Sequence, residues 1–482
     1  MQFATANGGI QESFVSCQSS QGVEIQATLL KLARFQVAFE LYSPSCVLRM
    51  SEVLTDFKIT VNSRILYSGR AVIISLVNVG TLQVCEVKVE DAWLEVSALL
   101  PGLDGKVLRA GFEDFLQQWH KVYKISPEYK AIIADMQTFL ADLRLWLDQV
   151  ELGIRSAPSG DRIQLEQELS RELGESTTPA LGELFEKFEA VTEVIENERT
   201  EQRAAHSAFV KRMLHPLLLG SPFLYRTFHK PLGYAGDYEM VNMICRDPLE
   251  GSTLFAKIVN LWFLKQPPAV AHRNRIDFLV ARLNEAAARA VQSGRPARII
   301  SIGCGPAVEV QQFLARQELA DRVEFFLIDF NEETVVHARD ALERARQRHR
   351  RGTRFQVIKK SVNQILKEAG RTVERDPASK YDLVYCAGLF DYLSDQICQR
   401  LTGIFYDWVV PGGTLVTTNV DISNPRRLTM DYVMDWHLNY RRGSQLAALR
   451  PDRVGMEDGQ VLADATGVNI HYLLRKPELE HA

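Results

Sequence analysis

The stretch ARIISIGCGPAVEVQQFL, residues 297–314, constrains this chain most. An apolar run breaks at Gly303-Cys304-Gly305-Pro306 and resumes with helical spacing, which predicts a strand entering a helix through a tight glycine turn. Such a turn serves many nucleotide-binding folds and also occurs as plain structure. The next apolar run, VEFFLIDFNEE at 323–333, narrows the choice. It ends in Asp329, 24 residues after Gly305, where a carboxylate can accept hydrogen bonds from both hydroxyls of a ribose. A helix cap is the alternative role for Asp329, but Asn331 already stands at the capping position.

Further short apolar runs at 355–358, 383–386 and 414–418 alternate with helical segments. Together with 298–302 and 323–328 they predict a parallel sheet with helices on both faces over 295–482. A dinucleotide fingerprint would need a third glycine where Val308 stands. IGCGPAVE instead resembles motif I of class I S-adenosylmethionine-dependent methyltransferases. YDLVYCAGLFDYL at 381–393 resembles their motif IV, and WVVPGGTLVTTN at 408–419 their last-helix-to-strand-five segment, where Pro-Gly-Gly reverses the chain. The resemblance implies a Rossmann-like, mostly parallel seven-stranded α/β domain binding S-adenosyl-L-methionine. It places Gly303, Cys304, Gly305, Asp329 and Phe330 at the cofactor, Ser361 and Val362 beside the adenine, and Cys386, Ala387 and Gly388 under the sulfonium.

HKPLGYAGDYEMVNMI at 229–244 and NVDISNPRRLTMDYVMDWHLNYR at 419–441 resemble a narrower bacterial family, the 3-hydroxypalmitic acid methyl ester biosynthesis proteins. That resemblance covers roughly 205–482 and implies O-methylation of a carboxylate on a small acceptor such as a hydroxy fatty acid, a diffusible quorum-sensing type of signal. The alternatives are N- or O-methylation in a specialised pathway, or a signalling adaptor that binds cofactor without turnover. GYAGDY combines glycines, aromatics and a carboxylate, so Tyr234 and Asp237 are expected over the cofactor; an ordinary inter-helix turn is the competing reading. Arg275, with Arg273 on the helix before the first strand, is expected to hold the cofactor's carboxylate or an acidic acceptor. Tyr234, Tyr392 and His437 are the candidate catalytic groups, with Asp391 and Asp435 as further bases, and residues 435–441 are expected to continue a helix.

Residues 1–100 read as β. Runs at 23–30, 36–42, 57–61, 65–67, 70–79 and 81–89 are rich in β-branched and aromatic residues, with turns at 43–45, 62–63 and 68–69. They predict a small barrel that resembles a PilZ domain, but that family's cyclic di-GMP motifs are missing. Arg34 lacks an arginine partner at the required spacing, and Asp56 is followed by Phe57-Lys58. The barrel is therefore expected to be degenerate and non-binding. Residues 105–292 read as a helical region that shapes and covers the acceptor pocket. One helix is expected over 127–153, a linker at 155–161, and a second long helix from Pro179 with a seam of Leu181, Leu184, Phe188, Val191 and Ile195. The seam packs either on the same chain or on a second copy, giving a homodimer.

With 482 residues the chain has room for two or three domains, and its net charge of −4 gives no global field toward nucleic acid. The basic run between Arg339 and Arg354 reads as a solvated helix end. Seven cysteines, an odd count without metal-ligand spacing, predict reduced thiols in a cytoplasm and no metal site. No apolar run is long enough for a membrane span, and the first residues lack the pattern of a secretory signal.

Overall fold

A computed structural model describes residues 13–32, 35–42, 47–61, 64–79, 82–89, 109, 112–113, 116, 125–158, 161–197, 200–369, 380–455 and 457–478. Arg34, Cys46, the expected turns at 43–45 and 62–63, and the boundaries near 100 and 105 lie outside the described residues.

Six strands form a closed antiparallel barrel in the order β1-β2-β3-β6-β5-β4: β1 (Ser13–Gln18), β2 (Glu24–Leu32), β3 (Gln36–Tyr42), β4 (Val53–Val61), β5 (Arg64–Val79) and β6 (Leu82–Val89). β2 alternates exposed and buried residues along EIQATL, so one face fills the barrel and the other meets solvent. Phe39, Phe57, Ile59, Ile73 and Val87 are fully buried inside. The expected turn at Ser68-Gly69 does not form. Gly69 pairs with Phe57 inside one continuous β5, and irregular register on β4 absorbs the change of direction.

The helical layer that follows includes α1 (Pro127–Ser156), α2 (Arg162–Glu196), α3 (Thr200–Leu218), α4 (Pro222–His229), α5 (Tyr238–Cys245), α6 (Leu254–Leu264) and α7 (Pro267–Gln292). α1 starts at Ser126, whose hydroxyl accepts the Tyr129 N–H at 3.1 Å, with Pro127 in the first turn. Pro179 does not open a helix as expected; it lies inside the 35-residue α2. Helical pattern continues on both sides of it, and packing of the long apolar stripe outweighs one missing N–H donor. Leu181, Phe188 and Ile195 of the seam are buried in the same core as Trp262 and Phe263 of α6, with Leu184 and Val191 packed against it. The seam is thus filled by this chain, which removes it as a dimer surface.

The second sheet has the order β12-β13-β11-β10-β7-β8-β9, with β7 (Ala297–Ile302), β8 (Val323–Asp329), β9 (Arg354–Lys359), β10 (Tyr381–Cys386), β11 (Val409–Val420), β12 (Gly459–Ala463) and β13 (Asn469–Arg475). It is mixed: β7 to β11 pair in parallel, while β13 runs antiparallel to both β11 and β12. Helices α8 (Val308–Arg316), α9 (Glu332–Arg348), α10 (Val362–Ala369), α11 (Asp395–Trp408), α12 (Arg427–Val433) and α13 (Gly443–Ala447) connect the strands. Asn331 caps α9 through the Thr334 N–H at 3.0 Å, the role that frees Asp329. Pro411-Gly412-Gly413 does not reverse the chain. It lies within β11 and forms a bulge, since Tyr381 faces Val409 while Leu383 already faces Thr414. From β7 the sheet grows through β8 and β9 on one side and β10 on the other, so the chain switches direction between β7 and β10. That point, at the carboxyl ends of the strands, is where open α/β sheets bind ligands.

The parts are interlocked. The C-terminal half of α7 buries Leu283, Ala286 and Ala287 on the sheet, while Leu428, Met430, Tyr432 and Val433 of α12 join the core of the helical layer. α12 ends at Val433, and the left-handed backbone of Asp435 (φ 48°) keeps it from continuing, so residues 435–442 are non-helical, contrary to expectation. Asp435 is buried and bonds Lys88 of β6 at 2.8 Å and Lys211 of α3 at 2.6 Å. Burial opposes its ionisation, but the charges of Lys211, Lys88 and Lys230 together hold its carboxyl well below the usual carboxylate range. Asp435→Ala leaves buried ammonium groups uncompensated and is expected to lower stability by about 3–5 kcal/mol. Urea unfolding of the full chain checks this; a loss under about 1 kcal/mol would show that the cluster is not structural.

Candidate functional site

One cavity opens at the carboxyl ends of β7, β8 and β10 and runs under the helical layer. Its lining includes Gly303, Cys304 and Gly305, Asp329 and Phe330, Ala387 and Gly388, Arg275, Tyr392 and Tyr234. The glycine turn explains its floor. Gly303 and Gly305 have φ of 72° and 53°, and the Gly303 and Cys304 N–H groups both donate to Ile328 O, at 2.8 and 3.0 Å. The turn is therefore strapped to the end of β8, and Asp329 stands beside it. Its Oδ2 accepts the Gly305 N–H at 3.2 Å and its Oδ1 the Asn331 N–H at 3.0 Å. Each carboxylate oxygen keeps a further lone pair for a ligand. Burial raises the Asp329 pKa, opposed by those backbone donors and by the charge of Arg49.

Arg275 reaches the same floor from α7. Its Nη2 lies 3.0–3.1 Å from the His272 ring nitrogens, and no carboxylate among the described residues pairs with it. A Cβ added at Gly388, whose φ is 89°, would come within 3.0 Å of Arg275 Nη1, so glycine there lets the guanidinium pass beneath the loop after β10. Arg273 is used otherwise, donating to Ile244 O and Leu264 O. Glu309, in the first turn of α8, also faces the cavity. It accepts the Tyr385 hydroxyl at 2.8 Å, and burial pushes its pKa up.

Tyr234 of GYAGDY lines the cavity, with its ring 5.0 Å from Phe330 and its hydroxyl 3.4 Å from Thr334 Oγ1. Burial raises the pKa of the phenol, which makes it a poor base. Asp237 is not at the cofactor position expected of it. It caps α5 through the Met240 N–H at 2.9 Å and pairs with Arg226 at 2.8 Å, as befits an Asp opening a helix. Tyr392 borders the cavity; its hydroxyl accepts the Trp436 Nε1–H at 3.0 Å, and burial raises its pKa also. His437, expected as a base, is outside the cavity lining. Its ring faces Asp431 at 3.5 Å, and its backbone N–H and carbonyl meet Ser51 of the barrel. The left-handed turn at Asp435 carries it away from the helix that was to present it. Ser361, Val362 and Cys386 are also absent from the cavity lining. Ser361 precedes α10, and Cys386 is fully buried at the end of β10.

Beyond the glycine turn the cavity becomes apolar, with Phe223, Trp262, Phe263, Met430 and Met434 in its wall. Arg426, buried beside Trp262, donates from Nε to Gln266 Oε1 at 2.9 Å. Two contributors escaped sequence reading. Glu309 closes the IGCGPAVE stretch, but no role was assigned to it there. Arg49 lies in the barrel, 280 residues before Asp329, and nothing in the sequence links the two.

No family model and no curated protein matches the chain. Among solved structures, NodS, an N-methyltransferase from Bradyrhizobium japonicum in complex with S-adenosyl-L-homocysteine, is 16% identical over 50% of this chain and 98% of its own, with a TM-score of 0.29. Magnesium protoporphyrin IX methyltransferase from Synechocystis with bound S-adenosylhomocysteine is 12% identical over 52% of this chain and 98% of its own, with a TM-score of 0.34. An O-methyltransferase family protein from Burkholderia thailandensis is 14% identical over 67% of this chain and 99% of its own, with a TM-score of 0.32. At scores and identities this low, these likenesses establish neither activity nor substrate for this chain.

Asp391, at the cavity wall, gives a titration test. Burial raises its pKa to about 6, against the Val420 N–H and the charges of Arg275 and Arg441. The folded chain therefore holds this proton more tightly than the unfolded chain, and the advantage present below about pH 4 is lost as pH climbs through about 6. Relative to Asp391→Asn, wild-type stability should fall by roughly 2–3 kcal/mol between pH 4 and pH 7. A difference independent of pH in parallel urea titrations would mean that Asp391 titrates as an ordinary carboxylate.

Proposed function

We propose that this chain is an S-adenosylmethionine-dependent methyltransferase acting on a small-molecule acceptor. The observation that carries the reading is the conjunction at one switch point: a strapped glycine turn, the Asp329 carboxylate with free lone pairs, and a buried Arg275 without a carboxylate partner among the described residues. The residues present fit that cofactor. Asp329 suits the two ribose hydroxyls, Arg275 the amino acid carboxylate, and the floor at Gly303, Ala387 and Gly388 leaves room for the chain between them. The sheet order with one reversed strand beside β11 is also that of class I methyltransferases.

When bound, S-adenosylmethionine supplies a methyl group already activated on a sulfonium. The protein then has to orient the acceptor and exclude water. Tyr234, Tyr392 and the helical layer cover the floor of the cavity, and the apolar wall around Trp262 and Met430 receives the body of the acceptor. The finer reading is O-methylation of a carboxylate, such as that of a hydroxy fatty acid. A carboxylate is ionised near neutral pH and needs no base. Of the groups expected as bases, Tyr234 and Tyr392 are held in their protonated form by burial and His437 is turned away, which leaves Asp391, already engaged by the Val420 N–H, at the cavity wall. The barrel is read as a degenerate PilZ-like module that docks on the cavity rather than binding cyclic di-GMP.

Asp329→Ala should weaken binding of S-adenosylhomocysteine by roughly 1–3 kcal/mol in a folded variant, because two hydroxyls lose a charged acceptor. Calorimetry checks this, and unchanged affinity would remove Asp329 from the site. The acceptor class is tested by incubating the full chain with methyl-labelled cofactor and long-chain 3-hydroxy fatty acids. Label in an alkali-labile ester is expected; label that survives alkali, or none, counts against the carboxylate.

A further inference from the structure

The segment 47–52 between β3 and β4 stays tied to the barrel, with Leu48 and Met50 in its core and Ser51 and Glu52 bonded to Ile73 of β5, and it presents Arg49 to the cavity. Met50 donates its N–H to Tyr392 O at 3.1 Å, Ser51 Oγ donates to His437 O at 2.9 Å, and the Val53 N–H meets Gly233 O at 2.7 Å. Arg49 thereby becomes part of the cavity wall at 6% exposure. Its guanidinium carbon lies 3.9 Å from the centre of the Phe330 ring and 5.2 Å from that of Tyr234. A planar cation on an aromatic face is a favourable stack, and it fixes both rings.

The same guanidinium is short of partners. Nη2 donates to Ser20 Oγ at 3.0 Å, but Nε is buried without a hydrogen-bond partner among the described residues, and the nearest carboxylate oxygen, Glu52 Oε2, is 3.9 Å from it. Glu52 is itself fully buried and engaged by the N–H groups of Ser20 and Arg49 and by the Ser20 hydroxyl, at 2.7–2.9 Å. These bonds hold the loop in place and leave donor capacity on Arg49 at the end of the cavity that holds Asp329.

We infer that Arg49 is a cofactor-positioning residue supplied by the N-terminal barrel, which closes the nucleoside end of the cavity by clamping Phe330 and Tyr234 against the bound nucleoside. The inference rests on the methyltransferase reading. It gives the barrel a use that needs no ligand of its own: the cofactor site is complete only with the barrel docked. Preorganised rings bind a nucleoside without the cost of ordering them first.

The test uses the full chain and two probes, S-adenosylhomocysteine and 5′-methylthioadenosine, the second lacking the amino acid half. Arg49→Ala should weaken both by the same factor, about tenfold or more, with melting temperature unchanged. In the wild type, S-adenosylhomocysteine should slow amide hydrogen exchange at residues 47–53 together with residues 303–305. If Arg49→Ala fails to fold, that exchange pattern still decides the matter. Unchanged affinity in the variant, a loss confined to S-adenosylhomocysteine, or protection at 303–305 without protection at 47–53 overturns the inference and leaves the methyltransferase reading standing. Failure of the wild type to bind either probe overturns both.

Discussion

The carboxylate of Asp435 joins three parts of the chain at one buried point. Lys88 comes from the barrel, Lys211 from α3, and Asp435 itself from the strand-to-helix excursion after β11. Buried charges tolerate little displacement, because moving one partner by an ångström exposes the others to an apolar surround. The cluster therefore fixes where the barrel sits. Segment 47–52 reaches Tyr392 and His437 because β6 is pinned a short way off. Arg441 continues the same excursion inward, donating to Phe390 O, Leu393 O and Asn419 Oδ1 at 2.6–2.7 Å and so tying it to the loop after β10. The loops that border the cavity are set by polar contacts that are individually buried and mutually dependent.

From that arrangement the site follows with few free choices. The sheet supplies the floor through backbone geometry at Gly303 and Gly388. α7 supplies Arg275 from beneath, and GYAGDY and the barrel supply Tyr234 and Arg49 from above. Three arginines, Arg49, Arg275 and Arg426, line one largely apolar cavity, and among the described residues none has a carboxylate at hydrogen-bond distance, Arg49 keeping Glu52 at 3.9 Å. A buried guanidinium with unfilled donor capacity is costly, so such a set suits a cavity built for ligands carrying acceptor groups.

The parallel part of the sheet was legible because its strands are short apolar runs between helices, and because Asn331 visibly took the capping role that freed Asp329. The outer strands β12 and β13 were not read as runs: β12 mixes half-buried and exposed residues without a strict alternation. Pro179 misled because proline at a first turn is the commoner use, whereas α2 is long enough to carry it inside. Asp237 and His437 were placed by composition and motif. Capping chemistry claimed the first, and the backbone reversal at Asp435 redirected the second. Arg49 had no local signal, since its place depends on docking between segments far apart in sequence.

The central claim is that the cavity at the β7–β10 switch point holds S-adenosylmethionine. Its most direct test is calorimetric titration of the unmodified full chain with S-adenosylhomocysteine and, in parallel, with NADH, the rival ligand for a glycine turn followed by an acidic strand end. The account predicts saturable one-to-one binding of S-adenosylhomocysteine and no heat from NADH. Saturable binding of NADH with none of S-adenosylhomocysteine would contradict it.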